Sequence, residues 1–247
     1  MKILLRWLCL LVILANVAFN YIYQTALQVP TMRTVSDKYE SLFTPAGYAF
    51  SIWGIIYLAF IVFGIVAVLP KNRANTVYDR LCPALLLVNL AGSVWIYLFT
   101  AQRLTASVAV ICLMLLFGIY LFVQSNRAVN NGQPALLTVP FSLFLGWISV
   151  ATIACMATWL VSVGWQGGSL GAQLWTQLML AAAGLVALLA VVRYNTVLLP
   201  LVVAWATLAV YRKQAGSNDA VAFTALGVCA AAVLFAIIAL LTRKRRW

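Results

Sequence analysis

Trp53 and Tyr57 fall four residues apart, so both rings project from one helical face, in a stretch (residues 43–57) where the turn signal Thr44-Pro45-Ala46-Gly47 runs straight into an aromatic-studded apolar segment. Asn89 and Ser93 repeat that spacing further along, and Trp147, Ser149 and Thr152 bring an indole and two hydroxyls to a later apolar run. Rings of this kind stack on the face of a flat, mostly apolar molecule, and a few amide and hydroxyl groups fix its orientation. The same spacing also serves a helix anchored at a membrane interface or filling a packing seam, so at this point both roles stand.

Other chemistries are pruned by what is missing. The sequence has no histidine, which removes the commonest metal ligand, the usual haem axial ligand and the usual general base. Its acidic residues, Asp37, Glu40, Asp79 and Asp219, fall in connections or at the ends of apolar runs, whereas an ion-coupled pump keeps an ionisable group near the bilayer midplane. Prolines 45, 83, 140 and 200 stand near the starts of apolar runs, unlike the mid-helix breaks of many secondary transporters. Cys9, Cys82, Cys112, Cys155 and Cys229 form no C-x-x-C pair and are odd in number, so neither a disulfide framework nor a zinc site is expected. The glycine-rich segment 164–171 has no lysine and no strand-to-helix context, which argues against phosphate binding. No catalytic or metal-binding residue is assigned.

These side chains must be positioned by helices in a membrane. Apolar residues make up 65% of the 247 and charged residues only 8%, with a mean hydropathy of +1.03. Soluble domains carry about a quarter charged residues. The expected fold is all-α: a polytopic integral membrane bundle of about eight transmembrane helices. Apolar runs cover residues 3–23, 45–69, a third from about 81, then 106–124, 137–163, 173–192, 196–211 and 220–241. The connection 24–44 is the longest and could fold back as a lid. Asn16 and Asn20, four apart in the first run, read as polar glue between helices. Small residues at 181–184 and 227–232 permit close crossings and read as scaffold or as a homodimer surface.

Net charge is +12, but the basic residues lie in short loops and at the tail 243–246, so they report topology and contact with lipid headgroups, and no nucleic-acid partner is expected. With the N-terminus inside, inner segments hold Lys2, Arg6, Lys71, Arg73, Arg80, Arg127, Arg193 and the four basic residues of the tail. Outer segments hold only Arg33, Lys38, Arg103, Arg212 and Lys213. The positive-inside rule then puts both termini in the cytoplasm, in what reads as a bacterial inner membrane.

On these residues the chain resembles the TspO/MBR family, the tryptophan-rich sensory proteins related to the mitochondrial translocator. Thr44-Pro45 with Phe50, Trp53 and Tyr57 is similar to the family's Pro-Pro-x-x-x-Phe-x-x-x-Trp-x-x-x-Tyr segment. Asn89-Leu90-Ala91 is similar to its third helix, and Trp147-Ile-Ser-Val-Ala151-Thr152, with Pro140 ahead of it, to its fifth. Gly92 occupies the place of a family tryptophan, with Trp95 three residues on, and Cys155 that of an asparagine. The resemblance implies a TspO-like five-helix core over residues 1–163, followed by a three-helix segment over 164–247. It further implies a pocket for a porphyrin, haem or sterol, lined by Phe50, Trp53, Tyr57, Asn89, Ser93, Trp147 and Ala151, with the tetrapyrrole as ligand and no cofactor required. A cholesterol-type pattern also runs through Leu208-Ala-Val-Tyr211-Arg-Lys213. Two other classes remain: an uncoupled permease or exporter of a lipophilic compound, and a structural partner of another membrane protein.

Overall fold

A computed structural model describes residues 2–27, 29–165 and 167–242. The tail 243–246, expected to hold the C-terminus in the cytoplasm, lies outside the described residues. The described residues form helices α1 (Lys2–Thr25), α2 (Met32–Lys38), α3 (Ile52–Val68), α4 (Thr76–Thr100), α5 (Leu104–Asn130), α6 (Val139–Ser162), α7 (Gly171–Tyr194), α8 (Leu198–Gln214) and α9 (Asp219–Thr242), with short 3-10 turns between some of them. Among them, seven are long and apolar enough to cross a membrane; the protein is a helical, polytopic membrane protein. The expected seventh span is α8, whose 17 residues reach about 25 Å at 1.5 Å per residue, short of a hydrocarbon core of about 30 Å.

Helix boundaries follow local chemistry. Pro70 forces Leu69 into an extended conformation, and α3 ends there. Asn75 caps α4, its Oδ1 accepting from Val77 N at 3.1 Å. That cap starts the third spanning helix at Thr76, earlier than its hydropathy indicates, and leaves Pro83 inside the helix, not in its first turn. Pro45 also lies outside its helix, because a 3-10 turn, Gly47–Ser51, precedes α3. Asn195 adopts a left-handed conformation and ends α7, which separates it from α8.

By packing, the chain divides into residues 1–35 with 51–145, and residues 36–50 with 146–247. The division expected from the resemblance lay at 163/164; packing draws it inside α6 and gives residues 36–50 to the second unit.

In the first unit, α1 and α4 run parallel along a ladder of polar rungs. Arg6 pairs with Asp79, Asn16 with Asn89 and with Ser93, and Tyr23 with Thr100. Both members of each rung advance together along the chain, which is the mark of a parallel pair. Buried positions 6, 9, 13, 16, 20 and 23 of α1 alternate steps of three and four, the seam of a coiled-coil-like crossing. Arg6 is only 1% exposed. Its Nε donates to Asp79 Oδ1 at 2.7 Å, and its two amino nitrogens donate to the carbonyls of Ala67, Asn72, Arg73 and Asn75. The guanidinium thus uses all its donors to fasten the α3–α4 turn. The Tyr78 ring lies 5.6 Å beneath it.

In the second unit, α7, α8 and α9 pack through small residues. The buried face of α9 is Val221, Ala222, Ala225, Ala232, Ala236 and Ala239, and Ala183, Ala187 and Ala190 face inward on α7. Gln177 Nε2 donates to Thr224 Oγ1 at 2.9 Å and ties α7 to α9. A Cβ on Gly146 would stand 2.9 Å from the Leu199 carbonyl oxygen and from Val202 Cβ, so only glycine allows this approach of α6 to α8. Burial of Leu199, Pro200, Val202, Val203, Ala204, Ala206, Thr207, Ala209 and Val210 makes α8 the central helix of this unit.

Candidate functional site: an aromatic recess with a polar floor

Inside the first unit, side chains from α1, α3, α4, α5 and the start of α6 surround a recess. Trp53, Tyr57 and Phe60 reach it from α3 at i, i+4 and i+7, one helical stripe. Val88, Gly92 and Trp95 repeat the pattern from α4, with Asn89 beside them. Met114 and Phe144 close the remaining sides, and Asn16 and Asn20 complete the wall from α1.

The rings form a continuous column. Tyr57 stacks on Trp53 with centroids 5.5 Å apart, Trp53 meets Trp95 at 6.4 Å, and Trp95 stacks on Phe99 at 5.2 Å. Trp53 and Trp95 are 8% and 6% exposed, so both indoles face protein and not lipid. The Trp95 Nε1–H is buried and finds no hydrogen-bond partner among the described residues. A buried donor without an acceptor costs about 1–3 kcal/mol.

The same lining carries a polar network. Asn16 Oδ1 accepts from Asn20 Nδ2 at 2.8 Å and from Ser93 Oγ at 2.7 Å, while Asn16 Nδ2 donates to Asn89 Oδ1 at 3.0 Å. Asn89 Nδ2 donates in turn to the Leu85 carbonyl at 2.9 Å. Glue and lining are therefore one structure here: the amides that join α1 to α4 also face the recess. The open space is small. The cavity volume is about 10 Å³, roughly what a single water molecule needs.

Compared with known families, residues 6–239 match the one described as TSPO-like protein. The chain belongs to the TSPO-like protein family. No curated protein and no solved structure matches it. The family match runs past residue 163 and takes in α7, α8 and most of α9 of this TSPO-like protein, so these helices fall within the matched region along with the first five spans.

Of the residues expected to line a site, Trp53, Tyr57 and Asn89 meet at the recess, and Ser93 touches it through Asn16. Phe50, Trp147 and Ala151 belong to the second unit, where the Phe50 and Trp147 rings pack edge to face with centroids 6.2 Å apart. Sequence reasoning passed over Trp95, Phe60, Gly92 and Met114 as lining. Phe60 carried a signal, the seventh-residue repeat after Trp53, and Trp95 the same repeat after Val88; Met114 sits in a run of similar apolar residues and carried none.

Gly92 sits where the family resemblance places a tryptophan. A Cβ there would meet Asn16 and Met114 at 3.6–3.7 Å, ordinary contact distances. Gly92→Ala should therefore fit and raise stability by about 0.5–1 kcal/mol through helix propensity. Gly92→Trp should occupy the recess. Thermal unfolding of both variants checks this; a destabilised Gly92→Ala would mean that the α1–α4 contact is tighter than the distances indicate.

Proposed function

We propose that this TSPO-like protein binds a hydrophobic small molecule, tetrapyrrole- or sterol-like, at the Trp53–Tyr57–Trp95 box, for sensing or transfer. The observation that carries the reading is the unpartnered Trp95 Nε1–H at the wall of an aromatic-lined recess. Such a donor calls for a ligand acceptor, a carbonyl or carboxylate, while the rings stack on its flat body. Ligand pockets for drug-sized molecules run to about 300–1,000 Å³, so the recess is the closed form and the Trp53 and Trp95 rings must part on binding. Placement in a bacterial inner membrane with both termini in the cytoplasm is part of the proposal, supported by the distribution of lysine and arginine among the loops.

Titrating the purified protein with protoporphyrin, haem and a sterol panel, with tryptophan fluorescence as readout, tests the reading. Saturable quenching by at least one of them is expected. Trp95→Phe, which keeps a ring and loses the N–H, should weaken binding by about two- to tenfold, the range for one neutral hydrogen bond. The smallness of the recess favours a second reading, a membrane-embedded structural partner with a filled centre. Absence of saturable quenching by every compound would decide for it.

A further inference from the structure

Hydrogen bonds in the polar part of the recess wall run in one direction. Leu85 contributes a backbone carbonyl, which can only accept, and Asn89 Nδ2 donates to it at 2.9 Å. Asn89 Oδ1 is thereby turned outward and accepts from Asn16 Nδ2 at 3.0 Å. Asn16 Oδ1 accepts in turn from Asn20 Nδ2 at 2.8 Å, and the same Nδ2 donates to the Asn16 backbone carbonyl at 2.9 Å. Each amide gives its donor to the one before it, so a single obligate acceptor at the start settles the orientation of all three.

The chain of amides ends on an oxygen. A planar carboxamide that turns its nitrogen to Asn16 points its oxygen away, and no hydrogen bond reaches Asn20 Oδ1 among the described residues. Asn20 is 9% exposed and lines the recess, as does Trp95, whose Nε1–H has no acceptor among the described residues. The recess therefore presents two open ends of opposite sense, an acceptor on α1 and a donor on α4. Both are costly to leave unpaired in apolar surroundings.

Matching both ends takes a group that accepts and donates at once. A ketone or carboxylate only accepts and an ammonium only donates, whereas a hydroxyl does both through one oxygen. Size points the same way: a cavity of about 10 Å³ is room for one water-sized oxygen before the rings part, and a carboxylate is larger. We infer that the recess selects a neutral, flat, apolar alcohol, whose hydroxyl accepts from Trp95 Nε1–H and donates to Asn20 Oδ1 while its ring system lies against Trp53 and Tyr57. The inference rests on the binding role proposed above and narrows the ligand's acceptor to a hydroxyl oxygen. An ionised carboxylate is disfavoured, because its charge would lose water and face an amide oxygen in return.

The test uses the full chain in detergent and four probes that share one flat body: pyrene, pyrenemethanol, pyrenecarbaldehyde and pyrenecarboxylate, the last ionised at neutral pH. Saturable quenching of tryptophan emission by energy transfer to the pyrene reads the affinity. The alcohol should bind about two- to tenfold tighter than the aldehyde, the worth of one further neutral hydrogen bond, and tighter still than pyrene. The carboxylate should bind weakest. Asn20→Leu should bring the alcohol and the aldehyde to within about twofold of each other, while Trp95→Phe should weaken both together. Asn20 bonds only to Asn16, within α1, so its replacement breaks no hydrogen bond between helices. Equal affinity for alcohol and aldehyde, or a preference for the carboxylate, overturns the inference and leaves the binding role standing. So does a gap between alcohol and aldehyde that persists in Asn20→Leu. Should that variant fail to fold, the ratio in the unaltered protein decides alone. Absence of saturable quenching by all four probes overturns the inference as well, and the titration with protoporphyrin, haem and sterols then decides the binding role separately.

Discussion

Replacing Arg6 by methionine is expected to destabilise the protein by about 3–5 kcal/mol, the usual penalty for stripping one partner from a buried ion pair. Unfolding temperature in detergent should fall by roughly 6–20 °C, taking 2–4 °C per kcal/mol for a chain of this size. Three features place the effect at this scale. Arg6 is buried, Asp79 is only 14% exposed, and four backbone carbonyls at the α3–α4 turn take their hydrogen bonds from the same guanidinium. Lysine should not substitute, since a single ammonium cannot fill a fork of this shape. The double variant Arg6→Met with Asp79→Leu should recover part of the loss by removing the stranded carboxylate. A shift below about 2 °C in Arg6→Met would show that the clamp contributes little.

Asn16→Leu should cost about 1–4 kcal/mol, because polar side-chain bonds between membrane helices contribute about 0.6–2 kcal/mol each and Asn16 makes two of them, to Asn89 and Ser93, besides accepting from Asn20 within α1. Asn20 keeps its bond to the Asn16 backbone carbonyl at 2.9 Å, so the loss should stay below the sum of the parts. A double variant, Asn16→Leu with Ser93→Ala, should be less than additive, since both members belong to one network. Strict additivity in thermal unfolding would mean that the Ser93 hydroxyl gains nothing from Asn16.

Much of this architecture is written in hydropathy and punctuation. Pro70 closes α3, Asn195 parts α7 from α8, and the spacing of Trp53 and Tyr57 announces the stacked pair. Arg6 was not legible. A basic residue in a first apolar run reads as a topology charge, because the carbonyls it clamps come from a loop whose backbone geometry leaves no mark on residue type. Neither was the course of segment 37–49 along α8, where Ala46 N donates to the Ala209 carbonyl and Trp205 Nε1 to the Ala49 carbonyl. Its anchors on α8 are an alanine and a tryptophan in a run where such residues ordinarily face lipid or a neighbouring helix, and its own side of the contact is mostly backbone. The narrowness of the recess likewise depends on how the side chains of several helices meet, which no single helix pattern records.

The parallel ladder between α1 and α4 also bears on biogenesis. Arg6 Nε finds its carboxylate, and Asn16 Nδ2 its amide oxygen, on a helix made 73 residues later. At about 5–20 residues per second, a ribosome takes roughly 4–15 s to produce them. For that interval the newborn α1 carries an arginine without its carboxylate and an Asn16 amide bonded only within its own helix, to Asn20, and a protein-lined or water-filled shelter at the insertion machinery would spare them direct exposure to hydrocarbon.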